Sequence, residues 1–359
     1  MYVQKVKLPD SNKKTWYVIK DNYLPVVPIK KYLDFLDIIN YSPNTLRSYA
    51  YHLKIYWEFL EKEDLKWEKI GLEELVDFVT WLRNPKDKIV SINRCDKAKR
   101  KASTINAILT CIYSFYDYHA EINNIKLDNS NKFKNMPRKF KGFLYHINKN
   151  KAVKTKRIKI KTSDKSPKTL TEEQISKIIN KCNNLRDKLL VTLLYETGMR
   201  IGQALGLRHK DIRSWDNEID IIPRKDNING VRAKSDEKNI VHVSEDLMVL
   251  YTNYLLYEFG DIDSDYVFVN LWNGEIGKAM SYQNAVDLIK RLSKDLDISV
   301  NWHMFRHTHA KKLLTSGWDP SYVQKRLGHK NIQTTINTYG NIDDKDLKEA
   351  YEKYLDKKE

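Results

Sequence analysis

One stretch constrains the folding of this chain more than any other. Between residues 132 and 168, 14 of 37 residues are Lys or Arg and Asp164 is the sole acid, so the segment carries +13. A run so rich in charge and so poor in periodic apolar residues cannot bury enough surface to fold alone. It reads as a basic linker, or as an arm that orders on binding. It separates two patterned halves of the 359 residues, a length that ordinarily forms more than one domain. The expected organisation is an N-terminal hairpin or arm over 1–24, a helical domain over 25–131, the basic linker over 132–168, a second domain over 169–340 and a C-terminal helix over 341–359.

In the first half, YVQKVK (2–7) and WYVIK (16–20) alternate around Pro9, Asp10, Ser11 and Asn12, which predicts a hairpin. From 25 to about 123 the period becomes helical. Ser42 before Pro43 is a good helix start, and Leu46, Tyr49, Leu53, Tyr56 and Leu60 then recur at spacings of three and four. Arg47 and Lys54 lie off that stripe. Lys97, Lys99, Arg100 and Lys101 lead into a further helix whose face carries Ile105, Ile108, Ile112 and Phe115. These cations are candidate phosphate contacts, against the plainer reading of a solvated helix surface. Lys154, Lys156, Arg157, Lys159 and Lys161 are the candidates within the linker, where contacted phosphates would make binding salt-sensitive.

The second half opens with Thr171 and Gln174 as a capping box, followed by Ile175, Ile178 and Ile179. Strands are expected at 219–223, 239–243 and 266–269, with helices near 245–258 and 281–296, so the fold class is mainly α with a small β-sheet. Sixty-three Lys and Arg against 47 Asp and Glu give +16, which favours a polyanionic partner. A membrane is the weaker choice of polyanion, because no run approaches the roughly 18 apolar residues of a span. The start MYVQKVKLPD lacks a signal-peptide layout, so a cytoplasmic, nucleoid-associated protein is expected. Cys95, Cys111 and Cys182 have no metal-site spacing, which predicts reduced thiols and no bound metal. There is no Gly-rich phosphate loop and no support for ATP or another cofactor.

Four separated pieces carry the chemistry. In YETGMRIGQALGLRHKDI, Gly198 breaks a helix and Arg200 starts the next. HMFRHTHA holds His303 and Arg306 three apart on one helix. LGHK places His329 after a helix-ending glycine, and NIQTTINTYGN places Tyr339 just before Gly340. Each piece alone is weak, and an isolated tyrosine or histidine is usually packing, the reading given to His307 and His309. In joint order and spacing they closely resemble the tyrosine recombinase, or phage integrase, family. YSPNTLRSYAYHLKIYWEFL (41–60) also resembles a helix of the family's core DNA-binding domain, so the likeness spans most of 28–345. The narrower placement is a transposon-borne recombinase of the transposase A type.

The resemblance implies a two-domain C-clamp on double-stranded DNA, a homo-tetramer on paired sites, accessory recombination proteins as candidate partners, and metal-independent chemistry. It implies Tyr339 as nucleophile, Arg200 and Arg306 on the phosphate, His303 as base, His329 as hydrogen-bond donor and a lysine as acid. That lysine is placed at Lys234, in the AKS of the loop between the arginine motifs, with Lys225 the runner-up. Gln203 stands where members often carry an acid, and an amide cannot stabilise an imidazolium by charge. The physics agrees with these roles: guanidiniums can stabilise charge on nonbridging oxygens, and a phenol with pKa near 10 needs a base. A type IB-like topoisomerase and a catalytically inactive DNA-binding regulator are the rival functions. The tail has its own stripe, Leu347, Tyr351 and Tyr354, suited to docking on its own domain or, as the family resemblance favours, in trans on a neighbour.

Overall fold

The computed structural model describes residues 1–7, 14–84, 100–123, 131–134, 153–156, 158–162, 167–224, 227–232, 238–272 and 274–328. The chain divides into two units, Met1–Asp164 and Lys165–Glu359, each with its own apolar core.

In the first unit the expected hairpin forms. Strands β1 (Tyr2–Lys7) and β2 (Lys14–Ile19) pair antiparallel, with Val3 opposite Val18 and Lys5 opposite Trp16. Helices α1 (Val27–Ile38), α2 (Pro43–Lys62), α3 (Leu72–Arg83) and α4 (Ala102–Asn123) follow. Helix α2 starts at its sequence signal: the Ser42 hydroxyl accepts from the Thr45 N–H at 3.2 Å, and Pro43 opens the first turn. Its stripe Leu46, Leu53, Tyr56 and Leu60 is buried, and Tyr49 packs at the edge of the core. Phe115 of α4 meets Tyr32 and Trp67 edge-on, each at 5.6 Å, so aromatic packing closes the centre.

The described residues of the basic stretch form short extended segments. Strands β3 (Asn131–Lys134) and β4 (Val153–Lys156) pair antiparallel, and Ile158 and Ile160 pack against the first unit's core. Asn106 of α4 grips this segment, donating to the Ile160 carbonyl at 2.8 Å and accepting its N–H at 2.9 Å. The reason is period: Ile158, Lys159, Ile160 and Lys161 alternate, so an extended chain half-buries the isoleucines against the core and leaves the lysines exposed. The division between the units falls after Asp164, with the described residues 153–156 and 158–162 on the first unit's side.

The second unit contains α5 (Glu172–Asn180), α6 (Leu185–Thr197), α7 (Ile201–Ala204), β5 (Ile212–Arg213), β6 (Glu218–Ile221), β7 (Asn239–His242), α8 (Glu245–Tyr254), α9 (Tyr282–Asp295), α10 (Trp302–Thr315) and α11 (Pro320–Leu327). Thr171 and Gln174 form the expected capping box, with bonds of 3.2 and 3.1 Å. Helix α6 packs against α5, α8 and α10 and forms the axis of the core. Strands β5, β6 and β7 make one antiparallel sheet in that order. The strand expected at 266–269 is a correction: Tyr266 to Val269 are buried, but only isolated bridges form, Tyr266 with Arg208 and Val269 with Ala279. Its flanks are loops that offer one or two backbone partners each, so the apolar run is buried without a ladder. Helix α8 runs into a π-helical turn, Leu255–Phe259, where one regular helix was expected. Among the described residues no helix is long and apolar enough to cross a membrane.

Candidate active site

Gly198 ends α6 with φ of +63°. An added Cβ would lie 2.7 Å from His309 Cδ2 and 2.8 Å from Leu327 Cδ2, so both backbone and space demand glycine. The turn delivers Arg200 to the N-cap of α7, as the sequence predicts. Gln203 is buried, and its Oε1 accepts the Arg200 N–H at 2.8 Å. The amide therefore performs the capping that a carboxylate would perform, without its charge.

Helix α10 carries the His-x-x-Arg pair. Asn301 caps it, accepting the His303 N–H at 3.1 Å, and His303 is exposed. Arg306 is 4 % exposed and donates from Nη1 to the Gly198 carbonyl at 3.0 Å and from Nη2 to the Leu327 carbonyl at 2.9 Å. These bonds employ two of a guanidinium's five donors. They join the segment preceding Arg200 to the segment preceding His329. Helix α11 ends at Gly328, φ +64°, the helix-ending glycine expected from the sequence.

The described residues that precede Lys234 are anchored to the rest of the unit. Arg224 makes a bidentate pair with buried Asp211, both bonds 2.6 Å, and Asp211 also accepts the Arg208 N–H at 2.9 Å. Asn229 Nδ2 donates to the carbonyls of Leu205 and Met280, each at 2.9 Å. A Cβ on Gly202 would meet the Arg232 carbonyl oxygen at 3.1 Å, so this loop lies tight against the helix that Arg200 opens.

His309 is buried, and its Nε2 accepts from Arg326 Nε at 3.0 Å. Burial first, then the Arg326 charge, hold its pKa down at about 3, so the ring is neutral. This fits the expectation of a core histidine. His307 is also lowered, by burial and by the charges of His303 and Arg306.

Of the sequence-predicted catalytic residues, Arg200, His303 and Arg306 are thus placed in one junction of α6, α7, α10 and α11. Lys234, its runner-up Lys225, His329, Tyr339 and the tail 341–359 lie outside the described residues. So do Lys97, Lys99 and Arg157, and Lys154 and Lys156 are described only as backbone of β4. Arg47 is exposed and stacks over Trp16 at 5.2 Å and Tyr51 at 5.9 Å. Lys101, Lys159 and Lys161 are exposed. Lys54 pairs with Glu58, and Arg100 donates to the Leu82 carbonyl at 3.1 Å while covering Trp81, so both already serve the fold. Sequence reasoning missed Arg326, whose setting in a basic helix turn gives no signal of burial, and Trp16, whose partner Arg47 lies 31 residues on.

Residues 29–121 match the N-terminal SAM-like domain of phage integrases, and residues 168–346 match the phage integrase family. Over 361 residues the chain is 40 % identical to transposase A from transposon Tn554 of Staphylococcus aureus, covering all of this chain and 99 % of that protein. The chain belongs to the phage integrase family of tyrosine recombinases. Members of this family break and rejoin DNA, and this chain is such an enzyme. It is 24 % identical over 325 residues to the tyrosine recombinase XerA of Pyrococcus horikoshii, covering 90 % of this chain and 92 % of that one. Its fold is that of the Tn1549 transposon integrase in complex with a circular intermediate DNA, with a TM-score of 0.62 at 16 % identity over 91 % of this chain and 99 % of that one. XerH recombinase bound to a palindromic difH substrate gives 0.59 at 20 % identity, covering 86 % and 80 %.

Proposed function

We propose that this chain is the site-specific recombinase of a mobile element, cutting and rejoining double-stranded DNA through a 3′-phosphotyrosine on Tyr339. The observation that carries this is the Arg306 bridge, which holds the Arg200 turn and the chain entering the His329 segment at one point. A phosphate seated there meets two guanidiniums, one half-exposed on Arg200 and one fixed on Arg306, suited to charge developing on its nonbridging oxygens. His303, exposed on the first turn of α10, takes the phenol proton as the Tyr339 oxygen attacks phosphorus. The bond to the 5′ oxygen breaks, Lys234 supplies its proton, and His329 donates a hydrogen bond to the phosphate. The phosphotyrosyl bond retains the energy of the phosphodiester, so rejoining needs no high-energy cofactor.

In this reading the two units clamp duplex DNA, the basic stretch lies along phosphates, and four protomers assemble on paired sites in the nucleoid with accessory proteins as further partners. The tail helix docks in trans on the next protomer. The test is a nicked suicide duplex built from the DNA flanking the gene. Wild-type protein should become covalently attached to the 3′ phosphate, and Tyr339→Phe should bind equally and form no adduct. An adduct from Tyr339→Phe would remove Tyr339 from the mechanism. Binding with no wild-type adduct would leave a DNA-binding regulator, and an adduct without exchange between two duplexes a topoisomerase.

A further inference from the structure

The assigned residues of the second unit lie on or adjoin α6, α10, α11 and β7, and one side chain outside that set ties these four elements together. Arg326 lies on α11, whose end leads to His329 and Tyr339. Its Nε donates to His309 Nε2 on α10, the helix of His303 and Arg306, at 3.0 Å. Its Nη2 donates to the Glu196 carbonyl of α6, four residues before Arg200, and to the His242 carbonyl of β7, which follows the Lys234 loop, each at 3.0 Å. The Arg326 carbonyl in turn accepts from Asn239 Nδ2 of β7 at 3.0 Å. Arg306 grips the same junction through Gly198 and Leu327, the latter adjacent to Arg326 in sequence.

We infer that Arg326 and His309 are positioning residues for strand cleavage, a clamp that sets the four motif-bearing segments in register. This rests on the recombinase reading. A guanidinium is a rigid planar fork, so acceptors on three elements fix its plane and it fixes theirs; a lysine, with one point charge, cannot span them. His309 can accept from a guanidinium only with Nε2 unprotonated. Of the groups facing it, the charges of Arg326 from α11 and of Arg306 and Lys312 from its own helix favour that form, and the hydrogen bond to the Tyr195 backbone of α6 opposes it. Neither side chain needs to touch DNA. Their effect passes through the geometry of Arg200, Arg306 and the exit of α11.

The test is single-turnover cleavage of the nicked duplex by the full chain at saturating protein, with DNA binding and thermal melting measured alongside. Arg326→Leu, Arg326→Lys and His309→Leu should bind DNA within about twofold of wild type yet cleave roughly 10²-fold more slowly, the penalty of a misplacement near 1 Å. His309→Gln places an amide oxygen near the position of Nε2 and should recover most of the rate. The double variant Arg326→Leu/His309→Leu should be no slower than Arg326→Leu, since the His309 bond is already among those that Arg326→Leu removes. Wild-type cleavage by the two Arg326 variants would overturn the clamp. So would equal losses in His309→Gln and His309→Leu, or losses that track the folded fraction, which would make the pair ordinary packing. Should Arg326→Leu fail to fold, Arg326→Lys and His309→Gln still decide. A wild-type chain that binds this DNA and forms no adduct overturns the recombinase reading and the clamp with it, whereas a wild-type adduct with unaffected variants overturns the clamp alone.

Discussion

The interior of the first unit is aromatic and aliphatic, with Tyr32, Tyr56, Phe78 and Phe115 each under 2 % exposed, whereas the second unit buries Asp187, Asp211, Arg306 and His309 among its leucines and valines. Among the described residues three polar or charged groups are buried in the first unit and nine in the second. Apolar burial is non-directional: it holds a shape without aiming any group. Buried charge is costly unless every partner is in place, and for that reason it specifies geometry. The first unit is thus built as a platform, and the second as a positioning device that uses carbonyls at helix ends as its anchors.

The largest effects should separate these two designs. Phe115→Ala should lower the stability of the first unit by about 3–5 kcal/mol, read by urea unfolding, while saturating folded protein cleaves at its usual rate. Arg306→Gln should cost less stability, about 1–3 kcal/mol from the carbonyls it abandons, yet slow cleavage roughly 10²-fold or more. A Phe115→Ala protein that is folded but cleaves more slowly than Arg306→Gln would break the comparison.

A second prediction uses pH. His309 titrates at about 3 in the folded chain against an ordinary 6.5, so between these values the unfolded state binds a proton that the folded state does not. Stability from this site is therefore fully present above pH 6.5 and is lost as pH falls toward 3, by at most about 1.4 kcal/mol per pH unit. His52 and His119 of the first unit are lowered by burial in the same sense, so the whole chain should weaken in acid. The difference between wild type and His309→Gln isolates the second unit. Urea midpoints should fall more steeply for wild type between pH 6.5 and 4.5, and parallel curves would show that His309 is not buried as described.

The smallest effect concerns the surface of the platform. Lys159 and Lys161 stand exposed on a segment held by Asn106, so changing both to Gln should reduce the salt slope of DNA binding by about 1.8, near 0.9 for each phosphate no longer neutralised. An unchanged slope would make the segment a docked strap with solvated lysines.

What the sequence made legible follows the same division. Helix α2 was readable from Ser42, Pro43 and its stripe because burial of one helical face leaves a period, and Gly198 and Gly328 were readable because a left-handed turn excludes most other residues. The Ile158 and Ile160 alternation was present too, but the charge density around it masked it. The run at 266–269 shows the converse: continuous apolarity signals burial and leaves the backbone pairing unspecified. Arg326 was illegible for a further reason. Its partners are backbone carbonyls of α6 and β7 and one histidine, which lie 17 to 130 residues away in sequence and impose no local pattern.

Which oxygen becomes joined to DNA decides the chemistry most directly. Wild-type protein trapped on the nicked duplex, digested with protease and sequenced by mass spectrometry, should yield one DNA-linked peptide, carrying the nucleotide 3′ phosphate on Tyr339 out of 22 tyrosines. Attachment at any other tyrosine, or through a 5′ phosphate, would contradict it.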